Sequence, residues 1–262
     1  MNNDSPLKAI MVVTVTALVC SVLVTVAAVT LRPIQRAYED LERIRFIVRV
    51  SGLSESVETM SDLEVIGAFQ DLEIRLVDLD RGAFDSSNNP DTFDAREAAT
   101  EPQFRVAIPA ELDVASLGTR SSLETVYLLR DGETLQRVIL PIHGQGMWST
   151  IYGFLALESD LNTIAALTIS EQGETPGIGD VILNPEWQAR WQGRRLYDEQ
   201  RSLRFRISRE VVAANTEDAS YHVDGLAGAT VTLNGVMNLM RYWFGPHGYS
   251  RFLQNLSETE GS

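Results

Sequence analysis

Cysteine is almost missing from this sequence: among 262 residues only Cys20 carries a thiol, and it lies in an N-terminal apolar run. A disulfide within the chain is excluded, and with it a stapled secreted scaffold, though not an oxidising compartment. Zinc and iron–sulfur sites built on clustered cysteines are excluded as well. Histidine is nearly as scarce, and His143, His222 and His247 are too scattered for metal-ligand spacing, so no metal site is expected. Positive charge is the third shortage: 22 Lys and Arg against 36 Asp and Glu leave a formal net charge of −14. Nucleic-acid phosphates call for clustered cations, so no nucleic-acid partner is expected. No nucleophile–base pair has motif support, which leaves no ground for hydrolase chemistry. The Gly-x-Gly elements do not open a strand-to-helix turn with an acidic residue at the right distance, so the chain itself is not expected to bind a dinucleotide on such a turn.

One long hydrophobic run is present. Residues 9–31 are uncharged and rich in Val, Ala, Leu and Thr, enough to cross a hydrocarbon core of about 30 Å as a helix. A signal peptide is the rival, but its apolar region is shorter and ends at a small-residue cleavage site, whereas this run passes straight into Arg32-Pro33. The run therefore reads as a retained transmembrane helix behind a short N-terminus, 1–8. Lys8 precedes it while Arg32, Arg36, Arg43 and Arg45 follow, a count that places the large domain in the cytoplasm. Against that, Glu39, Asp40 and Glu42 lie among those arginines, and long domains translocate despite flanking charge.

Beyond the anchor, Ile34, Tyr38, Leu41, Ile44 and Ile47 recur at helical spacing, which predicts an amphipathic helix continuing out of the membrane as far as Gly52. Ser61-Asp62-Leu63-Glu64 reads as a helix start, with Leu63, Ile66 and Phe69 on its apolar side. Ile74, Leu76 and Leu79 predict a strand, and residues 84–103 a surface loop. The apolar runs 126–129 and 138–142 flank Arg130-Asp131-Gly132-Glu133 as a hairpin. Further strands are expected over 150–157, 163–169 and 204–208. Asn184 caps a short helix with Pro185 in its first turn, and a last helix covers 249–256 before a flexible tail, 257–262. Strands in hairpin-like clusters with helices grouped apart predict an α+β fold, a largely antiparallel mixed sheet with helices. The expected division is a membrane-proximal α+β region over 32–119 and a second domain over 120–256.

Chemistry is expected at Asp224-Gly225-Leu226-Ala227-Gly228-Ala229-Thr230-Val231-Thr232. Small residues leave the backbone bare and hold up a hydroxyl just where Val231, Val236, Leu239, Met240 and Trp243 begin to recur at helical steps. The first N–H groups of a helix lack partners and carry partial positive charge, so a phosphate on or against Thr230 is stabilised. The plainer alternative is an ordinary N-cap threonine. Two more glycine-punctuated segments stand out, Gly146-Met147-Trp148-Ser149 with Tyr152-Gly153, and Gly173-Glu174-Thr175-Pro176-Gly177-Ile178-Gly179.

Asp224, Gly228, Ala229, Thr230 and Thr232 resemble the flavinylation motif of FMN-binding domains, Asp-x-x-[Ser/Thr]-Gly-Ala-[Thr/Ser]-x-[Ser/Thr], with a departure at Ala227. Together with the two glycine-punctuated segments, the anchor and the Asn-Pro-x-Trp stretch, the chain resembles the C subunit of the sodium-translocating NADH:quinone oxidoreductases. The resemblance implies an FMN-binding domain over 120–256 with FMN joined by a phosphoester to Thr230. It also implies a membrane-anchored subunit that relays electrons from NADH towards ubiquinone, with the other subunits and the lipid bilayer as partners. A flavin transferase using FAD and Mg2+ would attach the flavin. The place implied is a bacterial inner membrane with the soluble domain on the periplasmic side, opposite to the charge count. The G subunit of the Rnf ferredoxin:NAD complexes shares the Glu-Thr-Pro-Gly loop but tends to have a histidine before it and to lack Trp-Ser; Gln172 and Trp148-Ser149 favour the quinone-reductase family. The Rnf protein and a non-redox single-span ligand-binding or adaptor protein are the alternatives.

An isoalloxazine ring needs an apolar face and polar groups at its pyrimidine edge. Trp148, Met147 and Ile178 suit the first need, and Ser149, Glu174 and Thr175 the second. The plainer readings are a core tryptophan and a solvated loop carboxylate. Arg204 or Arg206 offers charge for the phosphate, or is merely an outward strand residue. Asp224 has the phosphate's own sign, so it reads as a group that helps the transferase place a metal ion or activate the threonine.

Overall fold

The computed structural model describes residues 6–54, 56–208, 212, 216–226 and 228–260. In chain order the elements are α1 (Pro6–Ser51), α2 (Asp62–Gln70), β1 (Leu72–Asp78), β2 (Ala83–Asp85), α3 (Ala95–Ala98), β3 (Arg105–Ala107), β4 (Thr119–Ser121) and β5 (Leu123–Asp131). Then come β6 (Thr134–Gln145), β7 (Thr150–Glu158), β8 (Ile164–Glu171), α4 (Pro185–Ala189), β9 (Arg206–Ser208), β10 (His222–Asp224), α5 (Thr230–Trp243) and α6 (Ser250–Glu260).

Two compact units divide the chain, one ending at Ile44 and one spanning Arg45–Ser262. The expected anchor and the amphipathic helix after it are a single helix, α1, with Pro33 inside it. Its most apolar stretch has a mean hydropathy of 2.6 and exposed side chains, by length and composition enough to cross a membrane. The hydroxyls of Thr25 and Thr30 bond to the carbonyls of Ser21 and Val26 at 2.7 and 2.8 Å. Both threonine hydroxyls are thereby satisfied by their own helix, a pattern compatible with an apolar surrounding.

In the second unit a six-stranded sheet runs β2-β1-β5-β6-β7-β8, every pair antiparallel. Its period of two sends Val126, Leu128, Val138, Leu140 and Leu155 into one core, and Tyr127, Ile139, Phe154 and Ala156 into another. Both faces are covered, which is why these strands read as continuous apolar runs rather than as alternating ones. The first core lies under α5 and α6, and the second under Ile47 and Val50 at the end of α1 with Phe69 of α2. A short parallel ladder, β9 with β10, makes the strand set mixed.

Several expectations are corrected. The boundary at 119/120 does not separate two cores, because β1, from the region before it, pairs along its whole length with β5. The loop 84–103 contains α3, capped by Asp94, and Arg96 from it reaches Glu171 at 2.7 Å. The tail expected over 257–262 is helical as far as Glu260, whose carboxylate pairs with Arg130 at 2.6 Å. Ser61 and Glu64 do form a reciprocal capping box, but Val65 is the residue of α2 that is fully buried while Leu63 is 82% exposed. Nine residues make too short a helix to bury both flanks of an apolar stripe.

α5 crosses the sheet on β6, close enough that a side chain on Gly144 would meet Leu239 and one on Gly235 would meet the Gln145 carbonyl. Its far end is pinned: Trp243 Nε1 donates to the His143 carbonyl at 2.6 Å, and Tyr249 Oη donates to the Pro141 carbonyl at 2.8 Å. With the C-terminal end fixed on the strand, the N-terminal end is held at the mouth of the two glycine-rich loops.

Candidate functional site

The approach to α5 begins on β10, where the Trp187 indole donates to the Asp224 carbonyl at 2.9 Å. The chain then passes Gly228, at a φ of +89°, a conformation that disfavours any residue with a Cβ. Ala229 is the N-cap and offers no side-chain bond, so Thr230 is the first residue of the helix and not its cap. No acidic residue lies in that first turn. The helical rotation exposes Thr230 and Val231 and turns Thr232 inward, where it is 2% exposed.

Thr232 donates to Glu174 Oε2 at 2.6 Å, while the backbone N–H of Trp148 donates to Glu174 Oε1 at 3.0 Å. Glu174 therefore does not face outward as a solvated loop carboxylate: it is 4% exposed and fastens both glycine-rich segments to the start of α5. Burial alone would raise its pKa, but the Thr232 hydroxyl and the N–H groups of Trp148, Met147 and Ser149 together hold it below the ordinary carboxylate value. Space for this contact is made by glycine. A Cβ on Gly146 would come within 2.5 Å of Glu174 Oε1, and one on Gly179 within 2.9 Å of the Thr232 hydroxyl.

The loop 173–179 is closed by Thr175, whose carbonyl accepts from the N–H of Ile178 at 3.1 Å and of Gly179 at 2.9 Å. Asp180 accepts from the Gly177 N–H at 2.7 Å. Ser149 accepts from the Gly173 N–H at 2.6 Å, tying one loop to the other. What these bonds leave outside is apolar. Trp148 is 66% exposed and Met147, Ile178 and Val231 are about half exposed, so Trp148 is no core tryptophan. Since one carboxylate holds both the Trp148 backbone and Thr232, these side chains and Thr230 belong to one neighbourhood.

Of the residues expected at the site, Thr230, Gly228, Ala229, Met147, Trp148, Ser149, Glu174, Thr175 and Ile178 come together here. Asp224 ends β10 with its carboxylate exposed. Ala227 lies outside the described residues. Arg204 and Arg206 are engaged elsewhere, both pairing with Asp218, at 2.9 and 3.4 Å. Sequence reasoning missed Asp180 and Gly235. It counted Val231 with Val236, Leu239, Met240 and Trp243 on the apolar face of α5, whereas Val231 is about half exposed because it directly follows the outward-facing Thr230.

An apolar platform thus lies beside a helix N-terminus whose N-cap, Ala229, makes no side-chain bond, and the FMN-binding domain family matches residues 146–245. The chain is 42% identical to the C subunit of the Na(+)-translocating NADH-quinone reductase of Pseudomonas aeruginosa over 99% of both chains. It is 39% identical to that of Vibrio alginolyticus over 99% of this chain and 98% of the other. The crystal structure of Shewanella oneidensis NqrC is similar in fold, with a TM-score of 0.66 at 35% identity over 73% of this chain and 88% of that one. The chain belongs to the C-subunit family of the Na(+)-translocating NADH-quinone reductases, a family of oxidoreductase-complex subunits with an FMN-binding domain.

Proposed function

We propose that this protein carries FMN as a phosphoester on Thr230 and relays electrons from NADH towards ubiquinone within a sodium-pumping respiratory complex. The observation that carries the reading is Thr230 itself, exposed as the first residue of α5 beside the outward faces of Trp148, Met147 and Ile178. The residues fit the group. The first turn of α5 offers N–H donors and the positive end of a helix dipole to a phosphate, and that turn contains no acidic residue of its own. Beside Gly228 an added Cβ would touch nothing among the described residues, which suits the approach of the ribityl phosphate. Trp148, Met147 and Ile178 present the apolar face that a flat ring packs on, and Ser149, Thr175 and the loop N–H groups supply polar edges.

FMN supplies one- and two-electron redox chemistry that no side chain here offers. The chain's part is to hold and orient it. Attachment follows from place: a soluble domain on the periplasmic side, behind a single inner-membrane span, cannot draw on the cytoplasmic flavin pool, and one bond removes dissociation from the problem. A threonine hydroxyl is a weak nucleophile, so the attachment calls on a flavin transferase with FAD and Mg2+. Thr230 Oγ would bond to the phosphorus of the FMN half of FAD as the pyrophosphate bond breaks. AMP leaves with that electron pair and the hydroxyl proton passes to solvent.

The test is a denaturing gel viewed under ultraviolet light, with mass analysis of the peptide containing Thr230. Wild-type protein from its native host is expected to fluoresce with FMN on Thr230, and Thr230→Val to be dark. A fluorescent Thr230→Val band defeats the reading.

A further inference from the structure

We propose that His222 is the positioning residue for Asp224 during flavin attachment, an inference that rests on the covalent reading of Thr230. β10 pairs in parallel with β9, matching His222 to Arg206, Val223 to Ile207 and Asp224 to Ser208. Residues two apart on a strand leave it on the same face, so His222 and Asp224 point one way while Val223 turns into the core. His222 Nε2 lies 3.1 Å from Asp224 Oδ1. A carboxylate only accepts, so Nε2 carries the proton of this bond.

Among the described residues the imidazole has no other polar task. His222 is buried, and its Nδ1 is buried with no hydrogen-bond partner among the described residues. An apolar ring would fill that space without leaving a nitrogen unpaired, so what the imidazole adds is its single bond to Asp224. The Asp224 backbone is already fixed, its carbonyl by the Trp187 indole at 2.9 Å and the next residue by the Gly225 N–H to Ser208 carbonyl bond at 2.8 Å. Only the side-chain torsions of Asp224 are left to be set, and the His222 bond sets them. The carboxylate ends outward, a short loop ahead of Thr230, where it repels a bare phosphate and suits the Mg2+ that a transferase brings with FAD. His222 thus fixes the one anionic group of the motif in the pose that the transferase meets.

The experiment loads the full-length apoprotein in detergent with purified transferase, FAD and Mg2+, and reads covalent flavin by gel fluorescence and by the mass of the Thr230 peptide. His222→Leu and Asp224→Asn are each expected to lower the kcat of loading by about tenfold or more with the KM for FAD unchanged. The double variant should be no slower than the slower single, because the two residues act as one unit. His222→Gln, which keeps a donor near the Nε2 position, should restore most of the rate. Folding is checked separately by nitrogen NMR of histidine-labelled apoprotein. One ring is expected to carry its proton on Nε2 and to shift in Asp224→Asn. A folded His222→Leu that loads at the wild-type rate overturns the inference, as do effects that multiply in the double variant or a His222 proton on Nδ1. Wild-type protein that takes no flavin on Thr230 fells the covalent reading with it; wild-type loading beside unaffected variants fells this inference alone.

Discussion

Glu174 and Thr232 join across the sequence at 2.6 Å, a loop carboxylate accepting the hydroxyl of the second threonine in the α5 motif. The two threonines of Thr230-Val231-Thr232 thereby have opposite duties: one faces out where a flavin phosphate would be carried, and the other turns in and fixes the angle at which the first is presented. A charge-assisted bond in a buried place contributes about 1.5–3 kcal/mol. Thr232→Val should lower unfolding stability by that amount in a denaturant titration, and an unchanged midpoint would show the bond to be incidental.

The same carboxylate makes stability depend on acid. Its folded-state pKa is held below the ordinary value of 4.5, so its contribution is full above that value and is lost as pH falls through the folded one. Wild-type protein should therefore lose stability below about pH 4.5 more steeply than Glu174→Gln, the comparison cancelling the other carboxylates. Parallel curves for the two proteins would refute this.

His143 gives a second acid response, in a different window. It stacks on Tyr152 at 5.4 Å and against Trp243 at 4.8 Å. Burial first, and the Arg96 guanidinium second, push its pKa from 6.5 to about 4. Between those values the unfolded chain takes up a proton that the folded one refuses, so stability falls as pH drops through the window, by up to about 3 kcal/mol. His143→Phe keeps a ring in the stack and should flatten that slope. Urea midpoints at pH 7 and pH 5 for both proteins decide it.

Trp148→Ala separates a ring platform from a core residue. At 66% exposure its loss should change stability by no more than about 0.5 kcal/mol. In loaded protein the visible bands of the flavin should shift and its emission should rise as the stacking partner disappears. A large stability loss with an unchanged spectrum would assign Trp148 to packing instead.

Gly235→Ala should destabilise although alanine is the better helix former. The new Cβ would lie 2.7 Å from the Gln145 carbonyl and 3.1 Å from Gly146 Cα, forcing α5 away from β6. Overpacking of this kind costs about 1–3 kcal/mol, against a helix-propensity gain of about 1. Calorimetry on wild type and variant checks the sign.

The parts of the fold that were legible before the structure are those with a local cause. The Arg130-Asp131-Gly132-Glu133 turn is the connection between β5 and β6, the capping box at Ser61 opens α2, and Asn184 caps α4 with oxygen contacts to two backbone N–H groups. Each depends on residues within a few positions of one another. Leu63 misled because helical spacing marks an apolar stripe without saying how wide a partner surface will meet it, and α2 meets only enough to bury Val65. The boundary at 119/120 misled because strand pairing between β1 and β5 skips some fifty residues of chain, a relation that leaves no periodicity to read.

By itself the sequence determined the apolar span, the hairpin pattern of the sheet and the run in which Gly228-Ala229-Thr230 opens a helix, since each follows from spacing and backbone chemistry along the chain. Only the tertiary structure decided what Glu174 does, that Thr232 turns inward to it while Thr230 faces outward, and that Trp148 is left in the open. Those outcomes depend on α5 lying against β6 at the distance that Gly144 and Gly235 permit, and close approach between segments ninety residues apart is a property of packing that no local pattern encodes.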